Sequence, residues 1–285
     1  MAWYPQQCTK LQNYLRMIKV LLVSTNADEA GAPRHVEGLV SLLGKEIDFY
    51  CIFGDYGPVS KRLSLKLKGK VYNLKGMESS LNFIKDFFLF FKFLYIIQKV
   101  KPDIIHCHSS KAGIYGRFFS FFSKKRILLT IHGWPWRGFS GWKYKLIIAI
   151  EKFFINFSNC HYIGVANCLI EEAKKAGLKI KKNKFSLIYN TSLTFKNLDK
   201  SEEPSIFDEE YFLMPARVSS AKNHKKLAEA FEKSSFKGKL VFAGEGTNKK
   251  EFQDTILSDV RIKKNKIIFL GERSDIRNLI YNANF

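Results

Sequence analysis

Short apolar runs, each closing on small or polar residues and most followed by a stretch with one apolar face, recur along this chain. Met17-Ile-Lys-Val-Leu-Leu-Val-Ser-Thr25 is the first. Ile47–Phe53, Lys101–Ser110, Arg126–Ile131, Cys160–Ala166 and Phe185–Tyr189 follow, then Tyr211–Met214, Lys239–Gly244 and Lys266–Gly271. Runs this short, with few polar breaks, predict strands of a parallel sheet covered by helices on both faces. The covering helices are predicted between them. His35–Leu43 sets Val36, Leu39, Val40 and Leu43 on one face, Leu81–Val100 is apolar nearly all round, and Trp142–Phe157 is amphipathic. Leu169–Ala176 stops at Gly177. Strand–helix alternation means an α/β fold with doubly wound sheets. The polar, acidic stretch 195–210 reads as a linker, dividing the alternation into a domain at 17–194 and a smaller one at 211–285. Each half is expected to be Rossmann-like, and 285 residues suffice for two separate cores. Residues 1–16 match no element and are expected to form a disordered extension, with Met17 the biological start.

Charge restricts the partners. Lys and Arg number 47 against 26 Asp and Glu, a net +21, which attracts phosphorylated substrates, anionic headgroups or nucleic acid. The basic runs Lys179–Lys184 and Arg261–Lys266 fall between periodic segments and read as solvated loops. The 5 cysteines form no Cys-x-x-Cys pair and look like small hydrophobes of a reducing compartment. No signal peptide or membrane-spanning run is evident. Leu81–Val100 and Gly116–Arg126 are rich in Phe and basic residues. Leu81–Val100 reads either as a crossover helix packed on the sheet or as contact with a membrane surface, and the like character of Gly116–Arg126 keeps the second reading open.

Candidate chemistry gathers at strand ends. Past Tyr211–Met214 come Arg217 and Lys222, ahead of a helical pattern from Asn223. A guanidinium fork, a mobile ammonium and a helix N-terminus make a diphosphate clamp, although two solvated surface cations would look the same. Asn26–Arg34, containing Gly31, is a small-residue turn that lets backbone approach a phosphate. His132 follows the strand Arg126–Ile131, where reacting groups sit in open α/β sheets; a structural histidine is the alternative. His106 and His108 share one strand face, as two metal ligands would. No further ligand follows at a suitable spacing, so His108 reads as a polar group at the mouth of a crevice and no metal site is expected.

These pieces occur in a familiar order. Gly31-Ala-Pro-Arg-His-Val, Pro102-Asp-Ile-Ile-His-Cys-His, Thr130-Ile-His-Gly, Ile188-Tyr-Asn, Arg217 with Lys222, Ala243-Gly-Glu-Gly and Phe269-Leu-Gly-Glu-Arg-Ser-Asp-Ile run from Met17 to Phe285. Together they resemble the family-4 retaining glycosyltransferases of the GT-B fold, in which two Rossmann-like domains face a cleft. The resemblance implies a nucleotide-sugar donor, a UDP-sugar favoured, and a lipid-linked or oligosaccharide acceptor in bacterial polysaccharide synthesis. Arg217 and Lys222 would hold the diphosphate, with Gly31, Gly244 and Gly246 in the donor-binding turns and Arg273 near the nucleobase. His132 would lie beside the transferred sugar, and His108 and Arg34 on the acceptor side. No cofactor is implied, and no Asp-x-Asp metal motif occurs in the chain. The location implied is the inner face of the plasma membrane, as a cytoplasmic, peripheral protein.

Family members continue into a Glu-x7-Glu motif and a closing helix, with no counterpart before Phe285. The expectation is an incomplete second domain and an impaired transferase. A non-catalytic membrane-associated remnant remains the alternative. A basic nucleic-acid-binding protein is a further one, although no reading motif supports it and no nucleic acid is expected as a partner.

Overall fold

A computed structural model describes residues 17–77, 82–190, 206–258 and 266–284. The 1–16 extension, most of the expected linker (195–205) and residues 261–265 of the second basic run lie outside the described residues. The chain divides into two compact units, Met1–Leu193 and Thr194–Phe285.

The N-terminal unit is built on a 7-stranded parallel sheet. Its strands are β1 (Ile18–Ser24), β2 (Ile47–Phe53), β3 (Val71–Asn73), β4 (Ile104–Cys107), β5 (Arg126–Ile131), β6 (Cys160–Gly164) and β7 (Phe185–Leu187), in the order β3-β2-β1-β4-β5-β6-β7. The helices are α1 (Gly31–Leu43), α2 (Pro58–Leu67), α3 (Phe83–Val100), α4 (Ser110–Phe119), α5 (Gly141–Phe157) and α6 (Asn167–Lys175). Period two along β1 assigns the two faces. Val20 and Leu22 join Val36 and Val40 of α1 and Val59 and Leu63 of α2 in one core. Leu21 and Val23 join a larger core with Phe93 of α3, Tyr115 of α4, Ile148 of α5 and Leu169 of α6. Cys51, Cys107 and Cys160 are buried, and burial pushes the Cys160 thiol up to about 12.

Four elements depart from the sequence reading, one of them the short strand β3, which no apolar run marked. α1 begins at Gly31 rather than His35, since Pro33 in the first turn gives up no intrahelical hydrogen bond. α2 lies between Phe53 and Leu81, where the sequence reading marks no helix. It starts at Pro58, and the Ser60 hydroxyl both accepts from the Gly57 N–H and donates to the Gly57 carbonyl, at 3.0 Å each. α4 showed no helical signal because of Gly113 and Gly116, yet those glycines are what let it lie on the sheet. A Cβ at Gly116 would stand 2.7 Å from Cys107 Sγ, and one at Gly113 would stand 2.8 Å from Leu129 Cδ1. Gly116→Ala is therefore expected to lift α4 off β4 and cost about 1–3 kcal/mol. Urea titration should show a lower midpoint with an unchanged slope.

The C-terminal unit holds a 3-stranded parallel sheet of order β10-β9-β8. Its elements are β8 (Tyr211–Pro215), α7 (His224–Glu232), β9 (Lys239–Ala243), α8 (Lys250–Leu257), β10 (Ile267–Gly271) and α9 (Ile276–Asn282). Phe231, Leu240, Phe242, Ile256 and Ile267 form its core. α9 is tied to β8: the Tyr211 hydroxyl donates to the Leu279 carbonyl at 2.8 Å, and the Asn284 N–H donates to the Tyr211 carbonyl at 3.0 Å.

Candidate functional site

Strand order reverses between β1 and β4, so a crevice opens beyond their carboxyl ends. Three histidines meet there. His108 follows β4, and its N–H donates to the Val23 carbonyl of β1 at 2.9 Å. His132 follows β5, and His35 arrives on the second turn of α1. The His35 ring centroid lies 5.2 Å from those of both His108 and His132, which are 5.8 Å from each other. His106, inside β4, lies 4.1 Å below His108 and is bonded through Nε2 to the Thr130 hydroxyl at 2.7 Å. Nδ1 of His35 meets the Asn190 side-chain oxygen at 2.9 Å; a carboxamide oxygen accepts, so Nδ1 carries the hydrogen.

Burial governs the charge of these rings. It lowers all four, with the neighbouring imidazoles adding to the effect for three of them: His132 falls to about 4, His106 to about 3 and His108 well below its ordinary value. His35 is lowered by burial as well, against the opposing pull of Asn190. At neutral pH the cluster is uncharged, a set of donors and acceptors rather than cations. Both ring nitrogens of His108 and Nε2 of His132 are buried without a partner among the described residues. They line a cavity of about 240 Å³ with Ser109, Ser110, Thr130 and Trp134. Trp134 is fixed by its indole N–H donating to the Leu169 carbonyl at 2.8 Å and by stacking on Trp136 at 4.5 Å. Among the described residues no group of three His, Cys, Asp or Glu side chains could hold a metal ion.

Several predicted residues fall differently from expectation. His108 is enclosed, 1 % exposed, rather than standing at the mouth of the crevice, because β1 and α4 close over the end of β4. Gly31 opens α1 instead of lying in the loop before it, and a Cβ there would meet nothing within 4 Å. Arg34 points into a surface network: Nη1 donates to Glu37 at 2.8 Å, beside Arg62, which bridges Glu37 and Glu29. Its neighbour His35, a helical step away, is the residue that enters the cluster. His35 and Asn190 were not singled out from the sequence, although both lie in stretches already marked, Asn190 three residues past the end of β7.

In the C-terminal unit, Arg217 and Lys222 are both exposed. Arg217 lies in the turn after β8. Lys222 closes a 3-10 turn (Ser220–Lys222), and Asn223, at φ 57°, starts α7. Backbone bonds set this turn against the one after β9. The Ala216 N–H donates to the Ala243 carbonyl at 2.8 Å, and the Val218 N–H to the Glu245 carbonyl at 2.9 Å. The approach requires glycine: at Gly244, φ 147°, a Cβ would stand 2.4 Å from the Ala216 carbonyl oxygen. Gly246 takes φ 85° in the same turn. Buried Thr247 accepts from the Gly271 N–H at 2.9 Å, coupling β9 to β10. Arg273 is held by Asp275 through two bonds of 2.7 and 2.6 Å.

A doubly wound parallel sheet with the imidazole cluster at its switch point, followed by a second, smaller parallel sheet with two exposed cations on a strand–turn–helix, is the architecture of the GT-B fold class. Residues 30–191 match the family described as Glycosyltransferase Family 4, and residues 195–285 match Glycosyl transferases group 1. The chain belongs to the family-4 glycosyltransferases. It is similar to the "Putative glycosyltransferase EpsD" of Bacillus subtilis (strain 168), 26% identical over 205 residues, covering 66% of this chain and 52% of that protein. The chain thus spans about half the length of the curated relative it matches. Among solved structures, Anabaena Alr3699/HepE in complex with UDP and glucose superposes with a TM-score of 0.70 at 16% identity, over 94% of this chain and 72% of that one. Sucrose-phosphate synthase from Thermosynechococcus elongatus gives 0.68 at 14% identity, over 94% and 74%.

Proposed function

We propose that the protein transfers a hexosyl group, with retention, from a nucleotide-sugar to a lipid-linked or oligosaccharide acceptor. The observation that carries this reading is the turn after β8, where exposed Arg217 and Lys222 precede the free N–H groups of α7 on a backbone braced by the β9 turn. Breaking a sugar–phosphate bond leaves negative charge on the nucleotide, which fixed cations stabilise. The chain's lack of an Asp-x-Asp motif favours these cations over a metal ion in that role. UDP is the favoured nucleotide; HepE, which shares the fold, was crystallised with UDP and with UDP-glucose.

On the sugar, positive charge develops as C1 loses the phosphate oxygen. An imidazole that is neutral at pH 7, such as His132, bonds a sugar hydroxyl without placing a cation beside that charge. His108 offers partners for the acceptor. In the retaining course the acceptor oxygen bonds C1 on the face the phosphate leaves, and a phosphate oxygen takes the acceptor's proton. The work is assigned to the inner face of the plasma membrane, in envelope polysaccharide synthesis. Among the described residues no helix is long and apolar enough to cross a membrane.

Isothermal titration with UDP tests the clamp. Arg217→Ala and Lys222→Ala are each expected to weaken binding about tenfold or more, the worth of a charge-assisted hydrogen bond. Unchanged affinity in both variants would remove the reading.

A further inference from the structure

α3, the C-terminal end of α4 and α5 leave an aromatic stripe on the surface that the histidine cavity does not use. Phe88, Phe91 and Tyr95 of α3, Phe122 just beyond α4, and Phe153 and Phe157 of α5 are all at least half exposed, Phe122 by 73%. On α3, Phe87 meets Phe88 at 5.8 Å and Phe91 at 5.0 Å, and from Phe90 of the same helix ring contacts run on to α5. Phe90 meets Phe118 at 5.2 Å, Phe118 meets Phe122 at 5.5 Å and Phe121 at 6.0 Å, Phe121 meets Phe153 at 6.0 Å, and Phe153 meets Phe157 at 5.2 Å. Contiguous apolar surface on this scale marks a contact site.

The charge around it has one sign. Lys92 follows Phe88 by four residues and precedes Tyr95 by three, so the three share a helix face. Lys124, Lys143, Lys145 and Lys152 are exposed on the neighbouring segments. The acids of these three helices are Asp86 and Glu151, and both are neutralised inward, by Lys111 at 2.6 Å and by buried Arg117. What remains outward is phenylalanine and lysine, without exposed carboxylate.

We propose that this stripe seats the protein on the surface of an anionic lipid bilayer, rings at the acyl boundary and lysines at the headgroups. A second copy of the chain would bring an equally basic rim against it, so like-charge repulsion disfavours that occupant. α4 begins at Ser110, beside His108, and ends at the stripe, so the two sites stand one helix, roughly 15 Å, apart. The inference deepens the membrane part of the proposed function and does not depend on sugar transfer.

Flotation of the full chain with phosphatidylcholine vesicles, with and without phosphatidylglycerol, tests it. The protein should float with the anionic vesicles and less so as salt rises. Phe88→Ser with Phe122→Ser and Phe157→Ser is expected to lower the bound fraction about tenfold. Lys92→Glu with Lys152→Glu should lower it by at least about fivefold per lysine. These side chains are exposed, so unchanged circular dichroism and melting are expected in both variants, and unchanged UDP affinity separates a docking defect from a donor-site defect. Failure to float, undiminished flotation of the aromatic variant, or a lipid-free dimer broken by the same substitutions would overturn the proposal.

Discussion

Arg117→Met is expected to remove about 3–5 kcal/mol of stability, more than any other single side-chain change proposed for this chain. Arg117 sits on α4 with 1 % exposure. Its Nη1 and Nη2 donate to the two carboxylate oxygens of Glu151 at 2.5 and 2.9 Å, and its Nε donates to the Gly113 carbonyl at 3.1 Å. The guanidinium also lies 4.4 Å over the ring of Phe154. Burial alone would depress the guanidinium, but Glu151 opposes it, and the net effect keeps Arg117 firmly charged. A methionine at this position leaves the Glu151 carboxylate desolvated and unpaired beneath the cavity that His108 and His132 line. The cost comes from the orphan rather than from the lost attraction. Arg117→Met combined with Glu151→Leu is therefore expected to regain most of the stability. Urea unfolding of the two single variants and the pair gives the coupling directly. Near-additive losses would show that the pair contributes only packing.

Arg117 also shows where a reading of the sequence stops. In Gly116-Arg-Phe-Phe it looks like one more cation in a basic, Phe-rich segment, because its partner stands 34 residues away on α5. Strand positions were legible since burial on both faces writes an unbroken apolar run, as in β1. α3 and α5 were legible by length and apolar content. α4 was not, because Gly113 and Gly116, which permit its close packing on the sheet, lower helix propensity locally. The candidate site was half visible for a related reason. His132 and His108 lie at strand ends, which the alternation marks, whereas His35 differs from Arg34 only by one step around a helix whose start was read too late. That step takes one side chain into the histidine cluster and the other into the network with Glu29 and Glu37. Asn190 acquires meaning only through His35, across 155 residues of sequence.

Acid is expected to destabilise the N-terminal unit before its carboxylates titrate. The histidines of the cluster have an ordinary value of 6.5 when unfolded, while in the fold His132 titrates at about 4 and His106 at about 3. Between those values the unfolded chain binds more protons than the folded one, so stability rises with pH across the window. The contribution is fully present above pH 6.5 and is lost as pH falls through the folded values. Each such ring adds a slope of about 1.4 kcal/mol per pH unit, and His132 alone accounts for about 3 kcal/mol down to pH 4. The interval from pH 6.5 to about 5 isolates the histidines, because carboxylates enter near pH 4.3 and below. Urea midpoints at pH 7.5, 6.5, 5.5 and 5.0 (roughly spaced to bracket that interval) should fall steadily, and His108→Phe should flatten the fall by about one ring's share. A level midpoint over the same interval would mean that the imidazoles are solvated in the fold. The consequence reaches the proposed chemistry, since a proton on His35 puts a cation 5.2 Å from His132, the ring proposed to bond the transferred sugar. Burial that makes these rings costly to protonate would thus also suit them to the proposed role of holding a sugar.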